Sequence, residues 1–346
     1  MITVAVPTYR HPDYAMDALR SLVDQRFAPA FEILVLDNAC DERLAQRVRR
    51  MAERSSARVE YVGVPAIGLH RGRHEAARRA LGDVLAYVDD DVIAEEGWLA
   101  GLAEAFEDPS VHLVGGRNLP LFEAEVPSWL GAFWSPGAQQ CGLLTLIDLG
   151  SESKDVDPLL VWGANFAIRK ATLHQVGGFH PDGFPWELCR FRGDGETAVS
   201  REIARLRLRA VYCPQATIHH RVSPDRLTEA YFKRREFLQG VSDSYFAARL
   251  SGGKPAAVPR TSRIRALASG GKAAMRSCFP VNGVPSQWRA VRERVWRTHS
   301  EGYRYHQEVL RRDESLRAWV TLPDYWTSDV SRFDGKAPSP GGTHAS

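Results

Sequence analysis

An α/β fold with a mostly parallel central sheet, followed by a helical C-terminal region, is what this sequence predicts, on three observations. Strand-like apolar runs alternate with helical patterns through the first third of the chain, and such alternation implies a parallel sheet covered by helices on both faces. Polar and acidic residues stand just past the ends of those runs, at the edge where open α/β sheets gather ligands. From Arg226 onward the apolar spacing becomes helical.

Ile2 to Val6 reads as a buried strand closed by Pro7-Thr8-Tyr9, and Pro12-Asp13 starts a helix with Ala15, Leu19, Leu22 and Val23 on one face. Phe31 to Leu36 is a second strand ending on Asp37-Asn38, and Leu44, Val48 and Met51 give the next helix its apolar side. Val59 to Val64, Val84 to Val88 and Val111 to Val114 are further strands. Helices are expected over Arg73 to Leu81 and around Leu99, Leu102, Ala103 and Phe106. Tyr9, Asp37 and Asp89 to Asp91 all follow strand ends, so one crevice should hold them.

The bulk numbers set the class. A chain of 346 residues has room for one large or two modest domains. Its net charge of +3 is too small to argue for nucleic acid. Five scattered cysteines (Cys40, Cys141, Cys189, Cys213, Cys278) without CxxC spacing suggest neither a disulfide framework nor a zinc site. The N-terminus runs straight into a strand without the basic region of a signal peptide. No uncharged apolar run approaches the ~18 residues of a membrane span. A soluble cytoplasmic protein is expected, and abundant Ala, Arg and Gly hint at a GC-rich bacterial genome.

Asp89-Asp90-Asp91 comes directly after the apolar run that ends at Val88. Three adjacent like charges repel unless a cation sits among them. Oxygen ligands suit Mg²⁺ or Mn²⁺, ions that bind one or two carboxylates together with substrate phosphates. A solvated acidic turn is the plainer use of such a run. The buried-type strand feeding into it favours a metal–diphosphate site.

Four features now fall in order: Val4 to Arg10, then Asp37, then Arg73 nine residues before Gly82, then the acidic triplet at a strand end. Together they resemble the opening of the family 2 glycosyltransferases, which have the GT-A fold and a DXD motif. Two positions depart from the family pattern, Arg10 and His74, each where Asn is usual. The resemblance implies a nucleotide-sugar donor, a UDP-sugar first, held by Pro7, Thr8, Tyr9, Asp37, Arg73, Asp89 and Asp90. Tyr9 offers a ring face to the base, Asp37 accepts from base or ribose, and Arg73 suits the diphosphate through its fork of donors. Taken singly, Tyr9 reads as a packing residue, Asp37 as a turn former and Arg73 as a solvated helix residue.

Between Asn118 and Pro158 periodicity weakens and Pro120, Pro127, Trp129, Trp134, Pro136 and Gly137 accumulate, as in a lid or binding loop. Trp129 and Trp134 either stack on a sugar or pack the loop. Strand character returns over Val161 to Arg169, where Trp162, Gly163 and Asn165 resemble the family's acceptor-side strand. Asn165 reads equally as a structural amide. Further on, Val199, Ile203 and Leu206 mark a helix beginning near Gly193-Asp194-Gly195-Glu196. Aligning Val199 with the family's Leu puts the catalytic base on Glu196, with Asp194 as second choice and Gly195 where another acid would stand. Acids complementing a helix N-terminus are the plainer use. Arg209 to Val222 reads as a strand, a turn and the pair His219-His220. The resemblance implies a His here as metal ligand or diphosphate neighbour, and the spacing from Pro214 favours His220, beside Asp91 and Asp89; a structural histidine is the plainer use.

In the last third Leu227, Tyr231, Leu238, Val241 and Tyr245 share a helix face, Gly252 to Pro255 and Gly270-Gly271 break the pattern, and Trp288, Val291 and Val295 begin an Arg-rich helix. That segment suits packing on the catalytic domain, a homodimer, or peripheral contact with an anionic membrane, with the first two favoured because Arg recurs around the helix. The divisions expected are 1–117 for the nucleotide-sugar half, 118–224 for the acceptor and catalytic half, 225–334 for the helical region and 335–346 for a disordered tail. The function implied is inverting, metal-assisted transfer to a hydroxyl or thiol of a small molecule, glycan or peptide. Nucleotidyl transfer and non-catalytic nucleotide-sugar binding are the alternatives.

Overall fold

The computed structural model describes residues 1–134, 139–255 and 286–333. They form two compact units, each drawn from separate stretches of chain. The first takes residues 1–121, 145–179 and 196–221; the second takes 122–144, 180–195 and 222 onward. Pro136, Gly137, Gly270, Gly271, Cys278 and the tail from 335 lie outside the described residues.

The strands are β1 (Ile2–Thr8), β2 (Phe31–Asp37), β3 (Arg58–Gly63), β4 (Val84–Val88), β5 (Val92–Ala94), β6 (Val111–Phe122), β7 (Gln139–Cys141), β8 (Leu146–Asp148), β9 (Lys154–Asp155), β10 (Asn165–Arg169) and β11 (Arg209–Val222). The helices are α1 (Pro12–Val23), α2 (Glu42–Ala52), α3 (Leu69–Arg79), α4 (Trp98–Ala105), α5 (Lys170–Gln175), α6 (Glu196–Arg205), α7 (Glu229–Leu250), α8 (Ser286–Arg312) and α9 (Glu314–Val320).

In the first unit the strand order is β3-β2-β1-β4-β10-β6-β11-β5. β3, β2, β1 and β4 run parallel, and β10 is antiparallel to both β4 and β6. Every residue of β1 and of β4 is buried, as continuous apolar runs in a parallel sheet require. Leu19 and Leu22 of α1 and Leu44 and Val48 of α2 join Val4, Val6, Ile33 and Val35 in the core, so both helix faces predicted from spacing are the buried ones. Pro12 supplies a preset φ at the first position of α1, and Asp41 accepts from Arg43 N–H to cap α2.

Three registers position the site. Thr8 pairs with Asp37, which brings the ends of β1 and β2 level. Asn165 pairs with Val88, so the chain entering β10 starts beside the end of β4. His220 pairs with Val92, which carries the far end of β11 back to the acidic triplet.

Several expectations are corrected. β6 runs on to Phe122, and β8, β9 and a 3₁₀ turn at Pro158–Leu160 occupy much of the stretch expected to lack structure. Lone short strands carry no periodic signal; their pairing with β6 and β11 makes them strands. The expected turn within Arg209 to Val222 is absent: β11 is continuous through Pro214. α3 starts a turn earlier than the expected Arg73, at Leu69.

The second unit is built on α7 and α8. Their axes approach closely at two glycines: a Cβ on Gly240 would lie 2.0 Å from the His299 carbonyl oxygen, and one on Gly302 would lie 2.0 Å from that of Phe237. Phe191, Tyr245, Leu310, Leu316, Trp319 and Tyr325 form its apolar core. Trp129 packs edge-on to Phe133 and Phe232, with centroids 6.0 and 5.1 Å away, so of its two expected uses the structure gives packing.

Candidate active site

The site begins where β1 stops. Thr8 Oγ1 donates to Asp90 Oδ2 at 2.6 Å, tying the end of β1 to the acidic triplet. His11 Nδ1 stands 3.7 Å from the same carboxylate, a neighbour that no sequence motif had marked. Tyr9 is 44% exposed, and the Arg10 guanidinium lies 4.9 Å from its ring centroid. Arg10 itself holds φ +61°, uncommon for a residue with a side chain. Pro7 sits inside β1 opposite Leu36.

Asp37 is buried, and its carboxylate accepts from Ala39 N–H at 2.8 Å, Asp41 N–H at 2.7 Å and Tyr61 O–H at 2.9 Å. In this arrangement it forms the turn after β2.

The end of β4 carries the charge. Burial pushes the Asp89 carboxyl up to about 6, with Arg73 pulling it down and Asp91 adding to the rise. Burial also raises Asp90, against the hydrogen bonds of His11 and Thr8. Arg73, only 2% exposed, is the hub: Nη1 donates to Glu196 Oε2 at 3.2 Å, and Nη2 donates to the Gly163 carbonyl at 3.2 Å and to Asp89 Oδ1 at 3.5 Å. The Phe179 ring lies 5.1 Å from this guanidinium, and Tyr87 O–H donates to the Arg73 carbonyl at 3.0 Å. Neither aromatic could have been picked out from motif spacing.

Glu196 opens α6, and its second oxygen accepts from Gly163 N–H at 3.3 Å. Gly163 therefore touches both partners. A Cβ there would meet Arg73 Nη2 at 2.6 Å and the Glu196 carboxyl carbon at 3.0 Å. Trp162 next to it turns its indole N–H to the Leu159 carbonyl at 3.1 Å. Asn165 is 1% exposed, accepts from Trp98 Nε1–H at 3.0 Å and donates to the Ala216 carbonyl at 2.8 Å.

Asp194 belongs to the second unit, where its carboxylate is 2.7 Å from His180 Nδ1. Gly195 holds φ +52°, and a Cβ on it would meet Asp182 Oδ2 at 2.8 Å. An acid at position 195 would be strained by both, which gives the split acidic pair a steric cause.

Asp91 and His220 meet at 3.3 Å, both with side chains under a tenth exposed. Strand alternation sends His219 to the other face, where it pairs with Glu95 at 2.9 Å. Among the described residues no three His, Cys, Asp or Glu side chains converge as a complete metal cage. Asp91 and His220 offer one carboxylate and one imidazole, a donor set that fits an ion sharing its remaining positions with phosphate and water.

Residues 3–172 match the family model described as Glycosyl transferase family 2. Glucosyl-dolichyl phosphate glucuronosyltransferase of Haloferax volcanii is 24% identical over 252 residues, covering 70% of this chain and 75% of that protein. Succinoglycan biosynthesis protein ExoM of Rhizobium meliloti is 25% identical over 262 residues, covering 73% and 77%. Among solved structures, the mannosyltransferase PcManGT from Pyrobaculum calidifontis, in complex with GDP-Man and Mn²⁺, superposes with a TM-score of 0.52 at 18% identity, over 92% of this chain and 83% of that one. The fold is of the GT-A type. The family match runs from β1 into α5, the stretch that supplies Tyr9, Arg73, the three aspartates and Gly163, and on that footing residues 3–172 belong to glycosyl transferase family 2.

Proposed function

We propose that this glycosyltransferase moves a sugar from a nucleoside-diphosphate sugar, a UDP-sugar first, to a hydroxyl or thiol acceptor with inversion at the anomeric carbon. The observation that carries the reading is the Arg73 hub, where one buried guanidinium holds both the DXD acid Asp89 and the base candidate Glu196. Tyr9, half exposed past β1, supports a stacking role toward the base.

In this reading Glu196 removes the proton of the acceptor hydroxyl or thiol as that atom bonds to the anomeric carbon. The bond from the anomeric carbon to the diphosphate oxygen breaks on the opposite face, and the nucleoside diphosphate leaves with the electron pair. Arg73 and the Gly163 N–H fix the carboxylate in place, so the base is oriented before the acceptor arrives. A divalent ion, Mg²⁺ or Mn²⁺, held by Asp91 and His220 and shared with the diphosphate, would supply charge neutralisation for the leaving group. The proposed halves are 1–117 for the donor and 118–224 for the acceptor.

Calorimetric titration with UDP and GDP, with and without Mn²⁺, followed by turnover assays with the matching nucleotide sugars, tests the reading. Manganese-dependent heat and release of nucleoside diphosphate are expected. Pyrophosphate release from a nucleoside triphosphate would instead indicate nucleotidyl transfer, and binding without turnover a non-catalytic binder.

A further inference from the structure

The helices α1 and α2 each connect parallel strands, so each returns the chain from the crevice edge of the sheet to the opposite edge. Between them is a cavity of about 490 Å³, unused by the chemistry above. Four arginines line it, Arg20, Arg47, Arg50 and Arg54, against a single lining carboxylate, Asp24. Val23 and Met51, both half-buried, add apolar surface to the same lining.

Helix chemistry explains only part of this. Arg20 pairs with Asp17, and Arg47 pairs with Asp13 at 2.8 Å. Arg50, in the last turn of α2, also complements the negative end of the helix. Arg54 lies past that end, and neither it nor Arg50 has an ion-pair partner among the described residues. Both are exposed. Arg47, Arg50 and Met51 share one face of α2, and Arg54 in the turn just past its end brings a third guanidinium from this segment to the same lining.

Guanidinium forks match phosphate oxygens. A bare phosphate would fill little of the volume and leave Val23 and Met51 wet; a phosphate ester with an apolar body would cover them. We propose that this cavity docks the headgroup of an anionic phospholipid, seating the first unit on a membrane surface. The proposal is independent of the reading of the crevice.

Co-sedimentation of the full chain with vesicles tests it. Protein should partition onto phosphatidylcholine–phosphatidylglycerol vesicles and not onto phosphatidylcholine alone. Replacing Arg50→Gln together with Arg54→Gln should weaken partitioning about 30-fold, at the usual gain per basic residue near an anionic surface. Arg311→Gln with Arg312→Gln makes the same change in net charge at the end of α8 and should leave partitioning as it was. Equal loss in the two double variants, or no dependence of the wild type on phosphatidylglycerol, overturns the proposal. Inorganic phosphate at matched ionic strength should displace no more protein than chloride does; complete displacement would overturn the lipid assignment in favour of a soluble phosphate ligand.

Discussion

Two buried aspartate–histidine pairs, one in each unit, show how alike side chains come to different ends. Asp91 and His220 stand 3.3 Å apart in the first unit, and Asp243 and His299 stand 2.9 Å apart in the second. Asp243 lies mid-helix between α7 and α8, where its other oxygen accepts from Gln239 at 2.8 Å. Ser244 beside it is 2.7 Å from His306 Nδ1 and accepts from Gln307 at 3.0 Å. Polar groups there are matched to one another and cement a helix pair. Asp91 follows a buried strand together with Asp89 and Asp90, three carboxylates set among the imidazoles of His11 and His220 and the Arg73 hub. Acid in excess at a strand end invites a cation; acid in balance inside a helix pair is architecture.

The sharpest way to break this comparison is at the Arg73 hub. Glu196→Gln should lower turnover about 10²–10⁴-fold while calorimetric nucleotide binding persists. Wild-type turnover in that variant would remove Glu196 from the chemistry. No change in the second unit should produce this separation of turnover from binding.

The next effect belongs to the second unit alone. Burial lowers His306 from 6.5 to about 4, so it is neutral in the fold while the unfolded chain takes up a proton below 6.5. Stability from this source is complete above pH 6.5 and lost as pH falls toward 4, by about 3 kcal/mol in all. Denaturant melts across that range should show the slope, and His306→Gln should flatten it.

Smaller still, His299→Ala should cost about 1–3 kcal/mol of stability by stripping a donor from buried Asp243, with nucleotide binding unchanged. His220→Ala should do the converse and lose the manganese-dependent heat. At the surface, Arg294 makes a two-point pair with Glu229, both bonds 2.8 Å, and this hydrogen bonding holds the Glu229 carboxyl down to about 2. With the pair partly solvated, Arg294→Ala should shift stability by only about 0.5–1 kcal/mol.

The parallel strands and their helices were legible because each is a local pattern: a buried run, a cap, an apolar face. Arg73, Asp89 and Glu196, which those patterns place far apart in sequence, do meet. What stayed hidden depends on distant partners. β5 is three residues long and becomes a strand only because β11 pairs with it. The partners that Asp37 and Asn165 find, backbone groups together with Tyr61 and Trp98, are equally unmarked in the sequence. The interior polar residues of α7 and α8 were invisible for a related reason. Asp243, Ser244 and His306 are polar, so an apolar stripe does not mark them as interior, while the close glycine crossing lets them pair across the interface.

The chain passes between its two units five times, at 121/122, 144/145, 179/180, 195/196 and 221/222. Phe191, which lies in the short excursion 180–195, is covered by Trp319, whose indole N–H donates to the Phe191 carbonyl at 2.8 Å. A truncation after 224 would thus strand an aromatic ring without its cover and leave a half-finished core behind. Residues 180–195 depend on α9 for their packing, and a shortened chain that ends before Trp319 would lack it.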